Sequence, residues 1–285
     1  MINVIFLAFG AMLFWGFSEF LLQKSSRDVG ILESTAYIEI VGSILLFPFI
    51  IIEQGINYTF WDWTLFISIA AVSFIYTILI FKSLSIGKLS VIEVVLEIGL
   101  PVTAILSIIF LGERPSLLQT ILIIGVFIGI VMVSMHSLKD FRGKIERGAL
   151  LAVVAGVLMG MDNFFTGFGA KNISPMIILA IPWVICAILS LLLISKKKMW
   201  KRFTSIGKKH FWLILSMCLL NVLGWVCYSN ALKNDPISII TAITEGYVFV
   251  AILLGIILNK ERVKSHQIIG MAMVVIFAII LAMTL

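Results

Sequence analysis

Charge is scarce in this chain, and the residue patterns that ordinarily mark catalysis are missing. Asp, Glu, Lys and Arg make up 13% of the 285 residues, where soluble domains carry about 25%. The three cysteines, Cys186, Cys218 and Cys227, lie in apolar runs and form no CxxC pair, which argues against a disulfide frame or a zinc site. His136, His210 and His266 are scattered without ligand spacing, so no metal or cofactor is expected. There is no HExxH, GxSxG or P-loop and no Cys/His cluster, so no residue is nominated as catalytic. Long polar segments are missing too. The longest connection, Ser195 to His210, is too small for a nucleotide site, which speaks against ATP-driven pumping by this chain.

What fills the sequence instead is apolar. It is 61% hydrophobic, with mean hydropathy +1.15, and a membrane-embedded protein is the starting expectation. A span needs about 20 mostly apolar residues. Ten segments qualify: 3–22, 32–52, 63–82, 89–110, 116–135, 148–169, 175–195, 211–231, 237–258 and 265–284. The first has no basic leader and no cleavage site, so it reads as a span, not a signal peptide.

A shift of 148 aligns SLSIGKLSVIEVVLEIGLPVTAILSIIFLGERPSLLQ (83–119) with ALKNDPISIITAITEGYVFVAILLGIILNKERVKSHQ (231–267) without a gap. Ser90 falls on Ser238, Glu97 on Glu245, Glu113-Arg114 on Glu261-Arg262 and Gln119 on Gln267. Each half holds five spans, an odd number, so the second must insert upside down relative to the first. The expected fold is an all-α membrane protein of ten transmembrane helices in two inverted five-helix repeats. Residues 1–138 would be the first repeat, 139–147 a connecting loop and 148–285 the second repeat. In this plan the binding site lies near the midplane between repeats.

The chain resembles an EamA-type member of the drug/metabolite transporter superfamily over nearly its whole length. The resemblance rests on Trp15-Gly16, Pro101, the LGERPSLLQ and NKERVKSHQIIG junctions, and Tyr228, Ala231 and Leu232. It implies a ten-helix carrier of small metabolites, often an exporter of amino acids or related compounds. The second repeat departs from the pattern, with Phe249 where the first has Pro101.

Lys and Arg favour cytoplasmic loops. Of the 21 in the chain, only Arg114, Lys171 and Lys233 fall outside the loops after spans one, three, five, seven and nine. This places both termini outside a cell membrane crossed many times, whereas the family resemblance implies cytoplasmic termini. The segment KKKMWKRFTSIGKK (196–209) reads first as an orientation signal and second as a patch for anionic lipids of the bilayer. Loops account for the net charge of +6, so no nucleic-acid partner is expected.

Six acids fall at membrane depth: Glu19, Glu39, Glu93, Glu97, Asp162 and Glu245, with no Lys or Arg in the middle of any span. An intramembrane acid costs about 2.5–3.5 kcal/mol on insertion scales and by default marks a functional path. Burial and a neighbouring carboxylate both disfavour the ionised form. Some of the six must be protonated, wet, or paired with a bound cation. That pattern points to protons, a cationic substrate group, or both.

Glu93 and Glu97 share a helix face. Pro101 lacks the amide that would bond the carbonyl of Glu97, and irregular backbone at depth is tolerated where it lines a cavity or is covered by protein. Glu97 and Glu245 each lie eight residues into their spans, or about 12 Å at 1.5 Å per residue. Entering from opposite faces of a core about 30 Å thick, they would flank the midplane. The competing reading is a pair of protonated acids locking helices together. Asp162 and Asn163 are the counterparts of Ser18 and Glu19 if Gly16 aligns with Gly160, a shift of 144.

Trp15, Tyr37, Tyr76, Trp183, Trp225, Tyr228 and Tyr247 lie within spans. Packing is the commoner use of such rings, but aromatic faces also hold ammonium groups. Gly125-x-x-x-Gly129 and Gly156-x-x-x-Gly160 permit close helix contact, either inside the chain or in a homodimer through span five. Pro182 is expected to kink span seven and, with Pro101, to act as a hinge. The function expected is a secondary transporter, an exporter by the resemblance, of a small cationic or zwitterionic metabolite. Protons could be coupled, with Glu97 and Glu245 central and Glu93, Glu39, Glu19, Asp162, Asn163, Trp15, Tyr228 and Tyr247 around them. The alternatives are an intramembrane enzyme using paired carboxylates and a structural or sensory membrane protein.

Overall fold

A backbone in lipid must satisfy its own polar groups, and a helix does so within one segment. The computed structural model describes residues 2–53, 57–86, 95–134, 147–259 and 264–285, and among these every regular element is helical. The helices are α1 (Ile2–Asp28), α2 (Ile31–Ile52), α3 (Phe60–Ile86), α4 (Gly99–Leu111), α5 (Leu117–Ser134), α6 (Arg147–Asn172), α7 (Ile177–Lys196), α8 (Trp200–Lys209), α9 (Phe211–Leu232), α10 (Ile237–Thr244), α11 (Tyr247–Asn259) and α12 (Ser265–Ala282). Seven are long and apolar enough to cross a membrane, and three shorter apolar stretches, Gly99–Leu111, Leu117–Met132 and Ile237–Ala251, coincide with spans four, five and nine.

Two elements differ from the sequence expectation. Span nine is two helices, α10 and α11, separated at Glu245-Gly246. The basic connection after span seven contains a helix, α8, held by contacts that local sequence does not reveal. Arg202 Nε lies 2.9 Å from Glu33 Oε1. Phe203 stacks on Tyr37 with centroids 4.2 Å apart, and the Tyr37 hydroxyl donates to the Phe203 carbonyl.

The packing obeys the symmetry of the repeat. α1 packs on α9 as α3 packs on α6, while α2 on α7 and α5 on α12 map onto themselves. The glycines show the same operation in atomic detail. A Cβ at Gly16 would stand 2.4 Å from Val250 Cβ and 2.9 Å from the Tyr247 carbonyl oxygen. One at Gly160 would stand 2.7 Å from Val102 Cβ and 2.6 Å from the Gly99 carbonyl oxygen. Val102 and Gly99 are the positions that a shift of 148 carries onto Val250 and Tyr247. Gly16 and Gly160 are therefore true counterparts. Gly125 and Gly129 pack against Phe277 and Val274 of α12, so their bare faces are occupied inside the chain.

The LGERPSLLQ junction is built from caps. Gly112 ends α4 with φ +64°, the left-handed conformation that glycine takes without a Cβ penalty. Ser116 and Gln119 form a capping box on α5, Ser116 N donating to Gln119 Oε1 at 2.8 Å and Gln119 N to Ser116 Oγ at 3.2 Å. Gln267 repeats the first bond, accepting from Lys264 N at 2.9 Å. Glu113 reaches across to the other repeat: its Oε1 accepts from Ile237 N at 2.5 Å, and its Oε2 from Ser238 N at 3.1 Å and Ser238 Oγ at 2.6 Å. Pro236, at the N-cap of α10, has no side-chain acceptor to offer. The glutamate supplies that cap, its charge facing the positive end of the helix. Lys171 Nζ donates to the Asp235 carbonyl at 2.6 Å on the same side.

Candidate functional site

Both glutamates singled out by the repeat sit where a span breaks. In the first half, Ile98 N donates to Val95 O and Leu100 N to Glu97 O, each at 3.2 Å. In the second, Gly246 N donates to Ile243 O at 3.2 Å and Val248 N reaches Glu245 O at 3.5 Å. The four donor–acceptor pairs match under the same shift of 148. Pro101 lies in the first turn of α4, where a missing amide costs little, and Leu100 occupies the carbonyl that proline leaves open. Phe249 does have an amide, yet it donates to Gly246 O at 3.0 Å. The second break therefore does not depend on proline.

Around Glu245 the structure gathers residues from distant spans. Glu245 is buried, and its Oε1 accepts from Asn163 Nδ2 at 3.0 Å. The adjacent Asp162 is also buried, and its Oδ1 accepts from Ser73 Oγ at 2.6 Å. Tyr228 is fully buried, with its hydroxyl 2.8 Å from Thr241 Oγ1 one turn before Glu245. Trp15 is the hub of an aromatic group, with ring centroids 5.0 Å from Trp225, 5.1 Å from Tyr228 and 6.2 Å from Tyr247. Gly224 makes room for that indole, since a Cβ there would stand 2.3 Å from Trp15 Cδ1. Glu39 is buried within electrostatic reach of Asp162, and its Oε2 has no hydrogen-bond partner among the described residues. Tyr76 lies in the fields of Asp162, Glu39 and Glu245 together. Such an assembly offers carboxylates to a cation and aromatic faces to its apolar part.

The sequence profile of the EamA-like transporter family matches residues 2–135 and 146–283. The chain belongs to the EamA-like transporter family. It is thus a multi-pass membrane transporter of the drug/metabolite transporter superfamily. A solved structure titled only "Crystal structure of protein" superposes with TM-score 0.76 at 14% identity, covering 99% of this chain and 96% of that one; at that identity it shows the fold alone. No curated protein sequence matches.

The other nominated residues of this EamA-family chain fall as follows. Glu97 is buried at the first break. Glu19 is partly buried on α1, next to Ser18, whose hydroxyl donates to the Met217 carbonyl of α9 at 3.2 Å. Pro182 is buried within α7. Glu93, and residues 139–146 of the expected connecting loop, lie outside the described residues. Sequence reading did not nominate Trp225, Ser73 or Thr241 for the site, nor the Glu113 cap. Glu113 carried a signal, an acid kept at the same point of both repeats. Ser73 and Thr241 carried none, because their partners are 89 and 13 residues away.

Proposed function

We propose that this transporter exports a small cationic or zwitterionic metabolite, such as an amino acid, by alternating access between its two repeats. Protons compete with the cargo for the same carboxylates. One observation carries the reading: Glu245, held by Asn163 at a helix break, lies within electrostatic reach of Tyr228, whose ring packs with Trp15 and Trp225, and of Tyr76, which also lies in the fields of Asp162 and Glu39. Among the described residues no lysine or arginine forms an ion pair with Glu245, Asp162 or Glu39, and an ammonium group would satisfy acids of this kind. Glu97 is the matching group of the other repeat, with Glu93 and Glu19 as further relay groups. Pro101 and Pro182 serve as hinges, and the repeats divide as 1–138 and 148–285.

A thermal-shift screen of the purified protein against amino acids, polyamines and nucleosides tests this, since a ligand that binds the folded state raises its apparent stability. Stabilisation by amines that strengthens as pH rises is expected. Stabilisation by anions alone, or by amines without any pH dependence, would overturn the reading.

The distribution of Lys and Arg favours a cell membrane orientation with both termini outside. The packing is compatible with alternating spans: Lys24 after span one shares a cavity with Lys208 after span seven, while Glu113, Lys171 and Asp235 gather after spans four, six and eight. A reporter fused after Leu285 should be active only if its domain functions outside the cytoplasm. Activity of a cytoplasm-only reporter there would reverse the orientation.

A further inference from the structure

The junction of α1, α8 and α9 holds a surface cavity of about 370 Å³, apart from the acidic site around Glu245. Its walls include Lys24, Lys208, Lys209 and His210, with Phe211 and Trp212 at the start of span eight. Among the described residues of the wall, Asp28 is the one acid, against three lysines. Trp212 is 75% exposed and Phe211 52%, which in a membrane protein places both rings against lipid at the interfacial level where tryptophan is enriched. The basic side chains therefore lie where lipid headgroups begin. The platform is also fixed in place. Phe203 is the only buried residue of α8, and the Arg202–Glu33 pair and the Tyr37–Phe203 stack hold the helix against α2 while Lys201, Lys208 and Lys209 point outward.

We propose that this cavity is a binding site for the headgroup of an anionic phospholipid of the adjoining leaflet. The phosphate sits among Lys24, Lys208 and Lys209, and the acyl chains run down past Phe211 and Trp212. The volume falls in the range of small-molecule sites, about 300–1,000 Å³. The chemistry is complementary at both ends: cations meet the phosphate and aromatic rings meet the glycerol and upper chain. The inference is independent of which cargo the acidic site carries.

The test uses the full chain, purified and reconstituted with equal amounts of phosphatidylglycerol and phosphatidylcholine, with retained lipid counted by native mass spectrometry. Preferential retention of phosphatidylglycerol is expected. Each lysine near the surface contributes about five-fold at low salt, so Lys208→Gln with Lys209→Gln should reduce the preference about 10- to 30-fold. Lys233→Gln, on an exposed residue of a different loop, should leave it unchanged. All substituted residues are exposed, and an unchanged melting temperature will show that the variants fold. Equal retention of the two lipids, or a preference that survives the double substitution, would overturn the proposal. So would protection by inorganic phosphate equal to that by the lipid, which would identify a free-phosphate site instead.

Discussion

Glu245→Gln is expected to leave the protein folded while weakening binding of the cationic cargo about 100-fold or more. The substitution keeps the size of the side chain and an oxygen that can still accept from Asn163 Nδ2, which now lies 3.0 Å from Glu245 Oε1. What disappears is the negative charge. Removing one partner of a buried ion pair costs about 3–5 kcal/mol, and 2.8 kcal/mol is already about 100-fold in affinity. In the native protein, affinity for a cation should rise with pH, because protons leave the carboxylates that the cargo needs. In the variant that slope should flatten, leaving the part contributed by Asp162 and Glu39. The measurement is the dissociation constant of the best amine from the thermal-shift screen at several pH values. Glu97→Gln tests the other repeat in the same way. Unchanged affinity and slope in both variants would remove the paired glutamates from the mechanism and leave them as helix-packing groups.

Glu113→Ala is expected to destabilise the protein by about 3 kcal/mol. It strands the amides of Ile237 and Ser238 and the Ser238 hydroxyl, and both residues are fully buried. A hydrogen bond to a charged group contributes about 1.5–3 kcal/mol. Glu113 is itself partly exposed, so water entering behind the truncated side chain recovers part of three such bonds, leaving a cost of about 3 kcal/mol. The effect should also be localised. Hydrogen exchange should accelerate through α10 and much less through α5, whose Ser116–Gln119 box is untouched. Glu113→Gln, which keeps one acceptor oxygen, should fall in between. Since Glu113 belongs to the first repeat and Ser238 to the second, losing the cap loosens the two halves at this end only. Uniform exchange throughout the molecule would show that the cap is not a local tie between repeats.

The Glu113 cap also illustrates how motif and structure relate. In the sequence, Glu113 and Glu261 are matching marks that help to align the halves. In the structure, Glu113 does mechanical work on a helix 124 residues away, a role that only the pairing of α4 with α10 creates. Gly16 and Gly160 make the same point from the other direction. Their shift of 144 conflicts with the shift of 148 that governs spans four and nine, until their contacts show both glycines against matching residues.

Lipid accounts for what could be read in advance. A bilayer core demands long apolar segments and charges at their ends, so linear order alone indicated the apolar spans and the two-fold internal repeat, and it singled out acids that the fold buries, Glu39, Glu97, Asp162 and Glu245. The break at Glu97 was legible as well, because proline deletes a specific amide. Other features depend on distance in space and leave no periodic trace. Glu245 breaks its span although Phe249 has an amide to give. Asn163 finds Glu245 across 82 residues, and Trp225 joins Trp15 only because α1 packs on α9. Arg202 ties the lysine-rich helix α8 to α2 by meeting Glu33. Hydropathy is a property of neighbours along the chain, whereas a binding site is made by neighbours across it, and only folding supplies those.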